Sequence, residues 1–315
     1  MLIRALATTL LALFVWYPTA IAQHTVLVQG NNKLAQVNPK GKITWEMRFG
    51  GIHDIHLLKN GNILTVRGFR QLVEIDPDTS AVVWSYDASK SNGNEGKSVE
   101  IHAFQPLDND RFMIVESGPA RIIEIDRNGK LLKQINLKVD DPHPHRDTRL
   151  ARKIANGNYL VAHEGDGVIR EYDGQDGSVV WEFAVPLFDK DRAGGHGPEA
   201  FGNQAFSILR LKNGNTLIGT GNGHSVLEVT PQKEIVWTLH QNDLPNITLA
   251  WVTTLEILKN GNLVIGNCHA GPGQPLLVEI DRKSKKVIWT FDHFDTFGNS
   301  VSNSLLVDQA GKSTR

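Results

Sequence analysis

The tripeptide Asn-Gly-Asn returns at 60–62, 156–158, 213–215 and 260–262, each time between short apolar runs. A degenerate copy, Asn109-Asp110, lies within LDNDRFMIV, and LLVDQAG places Gln309 in the same slot. The copies at 60, 109, 156, 213, 260 and 309 are 49, 47, 57, 47 and 49 residues apart. One insertion breaks an otherwise fixed period, and a fixed period of this size marks stacked structural units. Adjacent Asn-Gly suits a two-residue hairpin whose central residues both need φ > 0. The far end of each unit repeats as well: NPKGKITW, DPDTSAVVW, DGQDGSVVW, TPQKEIVW and DRKSKKVIW, with the Trp missing only from DRNGKLLKQI.

Each unit therefore reads as four strands with short turns. Residues 211–239 show the pattern most fully, with turns at Asn213-Gly214, Gly221-Asn222-Gly223 and Thr230-Pro231-Gln232-Lys233. The first copy, residues 25–47, supplies only three strands, and the missing one lies at the other end, near 303–307. The expected fold is all-β: a six-bladed β-propeller of four-stranded blades, closed by the C-terminal strand pairing into the N-terminal blade. The approximate blades are 303–307 with 25–47, then 51–86, 99–137, 147–185, 203–239 and 250–291. Closure removes the sheet edge that an open β-solenoid, the alternative, would leave. Six such units fill residues 23–315 as a single domain, expected to be a monomer.

Residues 1–22 carry one early charge, Arg4, then an apolar run and Ala20-Ile21-Ala22. This is the pattern of a secretory signal peptide cleaved before Gln23. The apolar run is short for a membrane span, so the mature protein is expected to be secreted or periplasmic without a membrane span. A formal charge of −1 offers no basic face for nucleic acid. The only cysteine, Cys268, permits no intrachain disulfide, which leaves stability to packing between blades. Trp45, Trp84, Trp181, Trp237 and Trp289 share one outer-strand slot and are expected to wedge between neighbouring blades. Along the strands apolar residues alternate, as Val73 and Ile75 do with Leu72, Glu74 and Asp76.

The two rims should differ. The rim with the Asn-Gly-Asn and Asp-Pro-type turns is expected to lack histidine. The other carries the long loops, with His53, His102, His143, His145, His163, His196, His224 and His269, and with His240 and His293 at its edge. Long loops on a rigid scaffold tend to carry function. Aligning the inner strands on their hairpins puts His53, His102, Arg149, Phe206, Thr253 and Ser302 at the mouth. Asp54, Glu100, Asp147, Asn203, Trp251 and Asn303 lie beside them, and His163, Glu164, His224, Asn267 and His269 come from adjoining turns. The glycine-rich loop around His196 reads as either a lid or a connector. Imidazoles converging with an arginine suit an anionic ligand, or acid–base or nucleophilic work. His53, His102 and Arg149 are the catalytic candidates. The histidine-rich run 140–147 lacks tetrahedral-site spacing and is expected to be a solvated loop, so no metal is assigned.

The repeat NGN…D…G…VVW, best seen in residues 172–181 (YDGQDGSVVW), resembles that of the PQQ-like, quinoprotein-type β-propeller superfamily. The resemblance spans most of 25–307. It implies the propeller fold. The quinone-dependent members have eight blades and usually an adjacent Cys-Cys pair, so with six units and one cysteine no PQQ or other cofactor is expected. His53-Asp54 and His102 are similar in position to the histidine-bearing inner strands of the six-bladed arylsulfotransferases, which implies sulfuryl transfer through a funnel histidine. The expected function is a module binding a small anionic or carbohydrate-type ligand, or a protein partner. The alternative is an arylsulfotransferase-like or other enzyme using a funnel histidine.

Overall fold

The computed structural model describes residues 24–51 and 53–315. The predicted signal peptide lies outside the described residues. Six separate four-stranded antiparallel sheets form the molecule. Blade 1 comprises Val26–Gly30, Lys33–Val37 and Ile43–Arg48, with Ser304–Leu306 as its innermost strand. The closing pair is in register as Val26 with Leu306, Leu27 with Leu305 and Val28 with Ser304. Blades 2 to 6 begin with the inner strands Ile55–Leu57, Glu100–Leu107, Ala151–Lys153, Ser207–Arg210 and Trp251–Ile257. They end with the outer strands Ala81–Asp87, Leu131–Asn136, Val179–Ala184, Ile235–Leu239 and Val287–Phe291. The ring excludes the open solenoid.

Among the described residues the apolar core is divided into seven clusters: one at each of the six junctions of neighbouring blades, and a small one of Leu150, Phe206, Trp251 and Cys268. Leu64, Val66, Leu72, Phe104 and Ile114 join blades 2 and 3. Val26, Val28, Val264, Leu277 and Phe291 join blade 6 to blade 1. Since a blade packs on both sides, its middle strands are buried on both faces. Glu74 is accordingly only 1% exposed, although alternation alone would set it on a polar face.

That buried glutamate explains the repeat. Glu74 accepts from the side-chain amides of Asn60 (3.0 Å) and Asn62 (2.6 Å), while its other oxygen pairs with Arg127 of the next blade (2.6 Å). Glu171 repeats this with Asn156, Asn158 and Arg210, and Glu228 with Asn213, Asn215 and Arg282. Glu279 uses Asn262 (2.6 Å) and His24 (3.0 Å). The Asn-Gly-Asn turn thus carries a knot between blades, and the expected turn geometry is corrected. Gly61, Gly157, Gly214 and Gly261 have φ of 88–90°, but their preceding asparagines do not have positive φ. Asn60 Oδ1 instead accepts from Asn62 N (3.0 Å), and Leu58 N donates to Asn62 O (2.8 Å). This is a longer loop with one left-handed residue. The degenerate copy is where two adjacent residues are left-handed, Asn109 (61°) and Asp110 (52°).

The tryptophans wedge as expected. Trp84 Nε1 donates to Arg127 O (2.7 Å), Trp181 to Pro231 O (3.0 Å), Trp237 to Arg282 O (3.1 Å) and Trp45 to Ser80 Oγ (3.1 Å), each in the next blade. Trp289 packs edge-on against His24 across the closing junction. Lys133 occupies the slot in blade 3 and donates to Gly174 O of blade 4. His24 also corrects the view of the turn-bearing rim, for it lies there between Glu279 and Asp308.

Candidate functional site

The short inner strands converge on the central axis, and polar residues from different blades meet there. Asp54 of blade 2 is fully buried and holds Arg152 of blade 4 through two bonds (2.7 and 3.0 Å). Facing Arg152, its carboxyl lies well below the usual carboxylate range despite the opposing effect of burial. Arg315 donates to Ile55 O (2.7 Å) and Asn303 Oδ1 (2.9 Å). This network fills the axis beneath the loop-bearing rim.

Above it opens a cavity of about 990 Å³. His53, Arg149, Phe206, Thr253 and Ser302 line it, so five of the six aligned mouth positions reach one space. Glu164, His196, Asn203, Trp251 and His269 also line it. The loop around His196 forms part of its wall: the His196 ring stacks on Trp251 at 5.4 Å and lies 5.2 Å from His269. Arg146 and Arg192 add charge and Phe69 adds an aromatic face. Three arginines and one carboxylate, Glu164, therefore line it; Arg146 also lies 3.8 Å from Asp141, and Arg192 donates to Asn203 Oδ1 (3.0 Å).

Arg149 is 4% exposed and ion-paired to Glu164, itself 3% exposed. Burial pushes the Glu164 carboxyl up, against the pull of Arg149. The same guanidinium donates to His145 O and Thr148 O, which fixes the loop carrying His145. At one wall His53 Nδ1 lies 2.6 Å from His102 Nδ1. His102 Nε2 is 3.1 Å from Glu100 Oε2, and His145 Nδ1 is 2.7 Å from the same oxygen. Burial and then the charge of Arg149 lower His102 to about 3. Burial, with the neighbouring His102, holds His53 well below the usual imidazole value. Both rings are thus neutral near pH 7. The His102 and His145 imidazoles keep Glu100 below the ordinary carboxylate range.

Several predicted residues do not line this cavity, because their polar atoms are engaged elsewhere. His102 and Glu100 stand behind His53. Asp54 belongs to the axial network. His163 donates from Nδ1 to Asp147 O (2.8 Å) and accepts at Nε2 from Tyr172 (2.9 Å); burial lowers it to about 4. His224 bonds Ala250 O (2.6 Å) and Ala200 O and ties two loops together. Asn267 receives Ala250 N (2.8 Å) and donates to Thr248 O (3.1 Å) and Pro275 O (3.2 Å). Asn303 donates to His53 O (2.8 Å), positioning the histidine rather than facing the cavity. Cys268 reaches the wall, but burial pushes its thiol up to about 12, which leaves it unsuited to nucleophilic work.

His145, Arg146 and Arg192 were missed as site residues. The run 140–147 read as solvated, yet Asp147 accepts from Gly118 N (2.7 Å) and Asp147 N donates to His143 O (2.9 Å), which folds the run over blade 3. Its position on the histidine-bearing rim was the available signal.

No helix among the described residues is long and apolar enough to cross a membrane. A protein of unknown function from Bacteroides caccae is similar to this chain at a TM-score of 0.73 and 24% identity, over 89% of this chain and 97% of that one. A streptogramin B lyase aligns at a TM-score of 0.55 and 11% identity, over 88% and 85%. Virginiamycin B lyase from Staphylococcus aureus aligns at 0.52 and 14%, over 80% and 75%. At these identities the likeness shows the fold alone. No curated protein matches the sequence. The repeat, the closed ring and a family model matching residues 20–291 agree: the chain belongs to the PQQ_2 family, described as that of the outer membrane protein assembly factor BamB.

Proposed function

We propose that this is an exported binding module that takes up a small anionic, carbohydrate-type ligand in the funnel cavity. One observation carries the reading: the cavity is lined by Arg146, Arg149 and Arg192 with a single carboxylate, Glu164, which pairs with Arg149, and it also presents Phe69, Phe206 and Trp251. Guanidinium forks suit carboxylate or sulfate groups, and flat rings suit the apolar faces of sugars. The family's description as an assembly factor supports binding through the propeller surface in general. Calorimetric titration with glucuronate-containing oligosaccharides tests the proposal. Saturable binding that Trp251→Ala weakens at least tenfold is expected. Absence of heat with every acidic sugar, or equal affinity in the variant, would reject it. Export is tested by N-terminal sequencing of the secreted protein, expected to begin at Gln23.

A second reading, catalysis, is favoured by the chain Glu100–His102–His53, which ends in a neutral imidazole at the cavity. Such a ring can act as a base or nucleophile. Attack of the His53 ring on the sulfur of an aryl sulfate breaks the S–O bond to the aryl group and releases the phenol, which takes the imidazole proton; it should leave an acid-labile N-sulfo adduct on His53, detectable by mass spectrometry, and an unmodified His53 would reject sulfuryl transfer.

A further inference from the structure

We propose that Glu100, His102 and His145 form a binding site for one divalent first-row transition metal ion, such as zinc. It adjoins the cavity but does not depend on the ligand proposed above. The ligand atoms of the three residues all lie within 4.8 Å of one another. Glu100 Oε2 is 3.1 Å from His102 Nε2 and 2.7 Å from His145 Nδ1. An ion with bonds of about 2.0–2.1 Å sets its tetrahedral ligands about 3.3 Å apart, so small side-chain shifts bring the three atoms to its surface.

A second observation points the same way. His102 is 1% exposed, and its Nε2 faces Glu100 Oε2 at 3.1 Å without meeting the geometry of a hydrogen bond. A buried imidazole nitrogen held only by such an off-line contact is poorly satisfied, and coordination would satisfy it. Two imidazoles and a carboxylate form a donor set suited to zinc or iron(II) rather than to calcium or magnesium.

The supporting contacts are built. Glu100 and His102 come from one strand, with a register shift between Ile101 and Ala103 that re-aims the histidine. His145 is held by the bond from Arg149 to its carbonyl. His53 completes the arrangement from behind. With a metal on Nε2, His102 carries its proton on Nδ1 and donates it to His53 Nδ1 (2.6 Å), as metal-bound histidines generally do with their second nitrogen. The His53 proton then sits on Nε2, making that atom a donor.

Equilibrium dialysis of the full chain, purified without a histidine tag, against zinc, with elemental analysis, tests the site. One ion per chain is expected. His145→Ala should weaken binding at least tenfold with an unaltered Tm in the absence of zinc, because His145 is half exposed. Glu100→Gln should weaken it similarly, and His240→Ala, outside the cluster, should leave it unchanged. No zinc retained by the wild type, or equal retention by His145→Ala, would overturn the proposal. Cobalt provides a second readout: visible d–d bands should appear with the wild type and be lost in His145→Ala.

Discussion

His163 shows how one buried side chain makes the whole ring sensitive to acid. Its neutral form is fixed by a donated bond to Asp147 O and an accepted one from Tyr172. Unfolded, it binds a proton at about 6.5; folded, only at about 4. Between these values the unfolded chain holds the extra proton, so stability falls as the pH drops through that window, by up to about 3 kcal/mol. Above pH 6.5 it contributes nothing. His163→Phe should make this part of the stability profile measured by urea denaturation shallower without flattening it, because His53 and His102 are held low as well. Asp54 acts at lower pH. Its depressed carboxyl stabilises the fold above the ordinary carboxylate value and ceases to do so as the pH falls below it. Arg152→Ala leaves that buried carboxylate without its guanidinium, with His56 Nε2 (3.5 Å) and the Ile55 and Phe104 amides beside it, which should cost about 3 kcal/mol at neutral pH. An equally stable variant would show that the axial pair is idle.

The blade is the scale at which the sequence was most readable. Turn spacing and the outer-strand Trp are local, periodic signals, and six four-stranded sheets followed from them together with the missing strand of the first copy. What the repeat could not show was why asparagine flanks the glycine on both sides. Its partner, the buried glutamate, lies 12–17 residues away and is itself tied to the next blade. The site was readable only in part for a related reason. His53 and Arg149 could be placed at the mouth by register, whereas His145 depends on how a long loop folds back. Likewise His163, His224 and Asn267 have the same residue types as site residues, and only their partners mark them as structural. The Trp slot makes a graded prediction. Trp84 stacks on Phe112 at 4.6 Å and donates to Arg127 O, so Trp84→Ala should cost about 3–5 kcal/mol. Lys133→Ala removes a half-buried chain and one hydrogen bond in the same slot and should cost only about 1 kcal/mol. Equal losses in thermal denaturation would contradict the wedge.

At the scale of the molecule, closure does two things. Pairing of Ser304–Leu306 with Val26–Val28 covers an edge that would otherwise invite association, and it brings blades 2 to 6 around one axis. A chain truncated after Asn303 should expose the edge at Val26–Gly30. Light scattering should then show oligomers, and unfolding should lose its single transition; a monomeric, cooperative truncated chain would argue against closure as a source of stability. The three arginines come from the segments that flank blade 4, and the same convergence puts them in one cavity with Phe69 of blade 2 and Trp251 of blade 6. The most direct test of the account is therefore the affinity for an acidic oligosaccharide as a function of salt, in the wild type and in the double variant Arg146→Ala/Arg192→Ala. The account predicts wild-type binding that weakens steadily as salt screens the arginines, and a loss of at least tenfold in the double variant. Affinity that is independent of salt and unchanged by removing both arginines would contradict it.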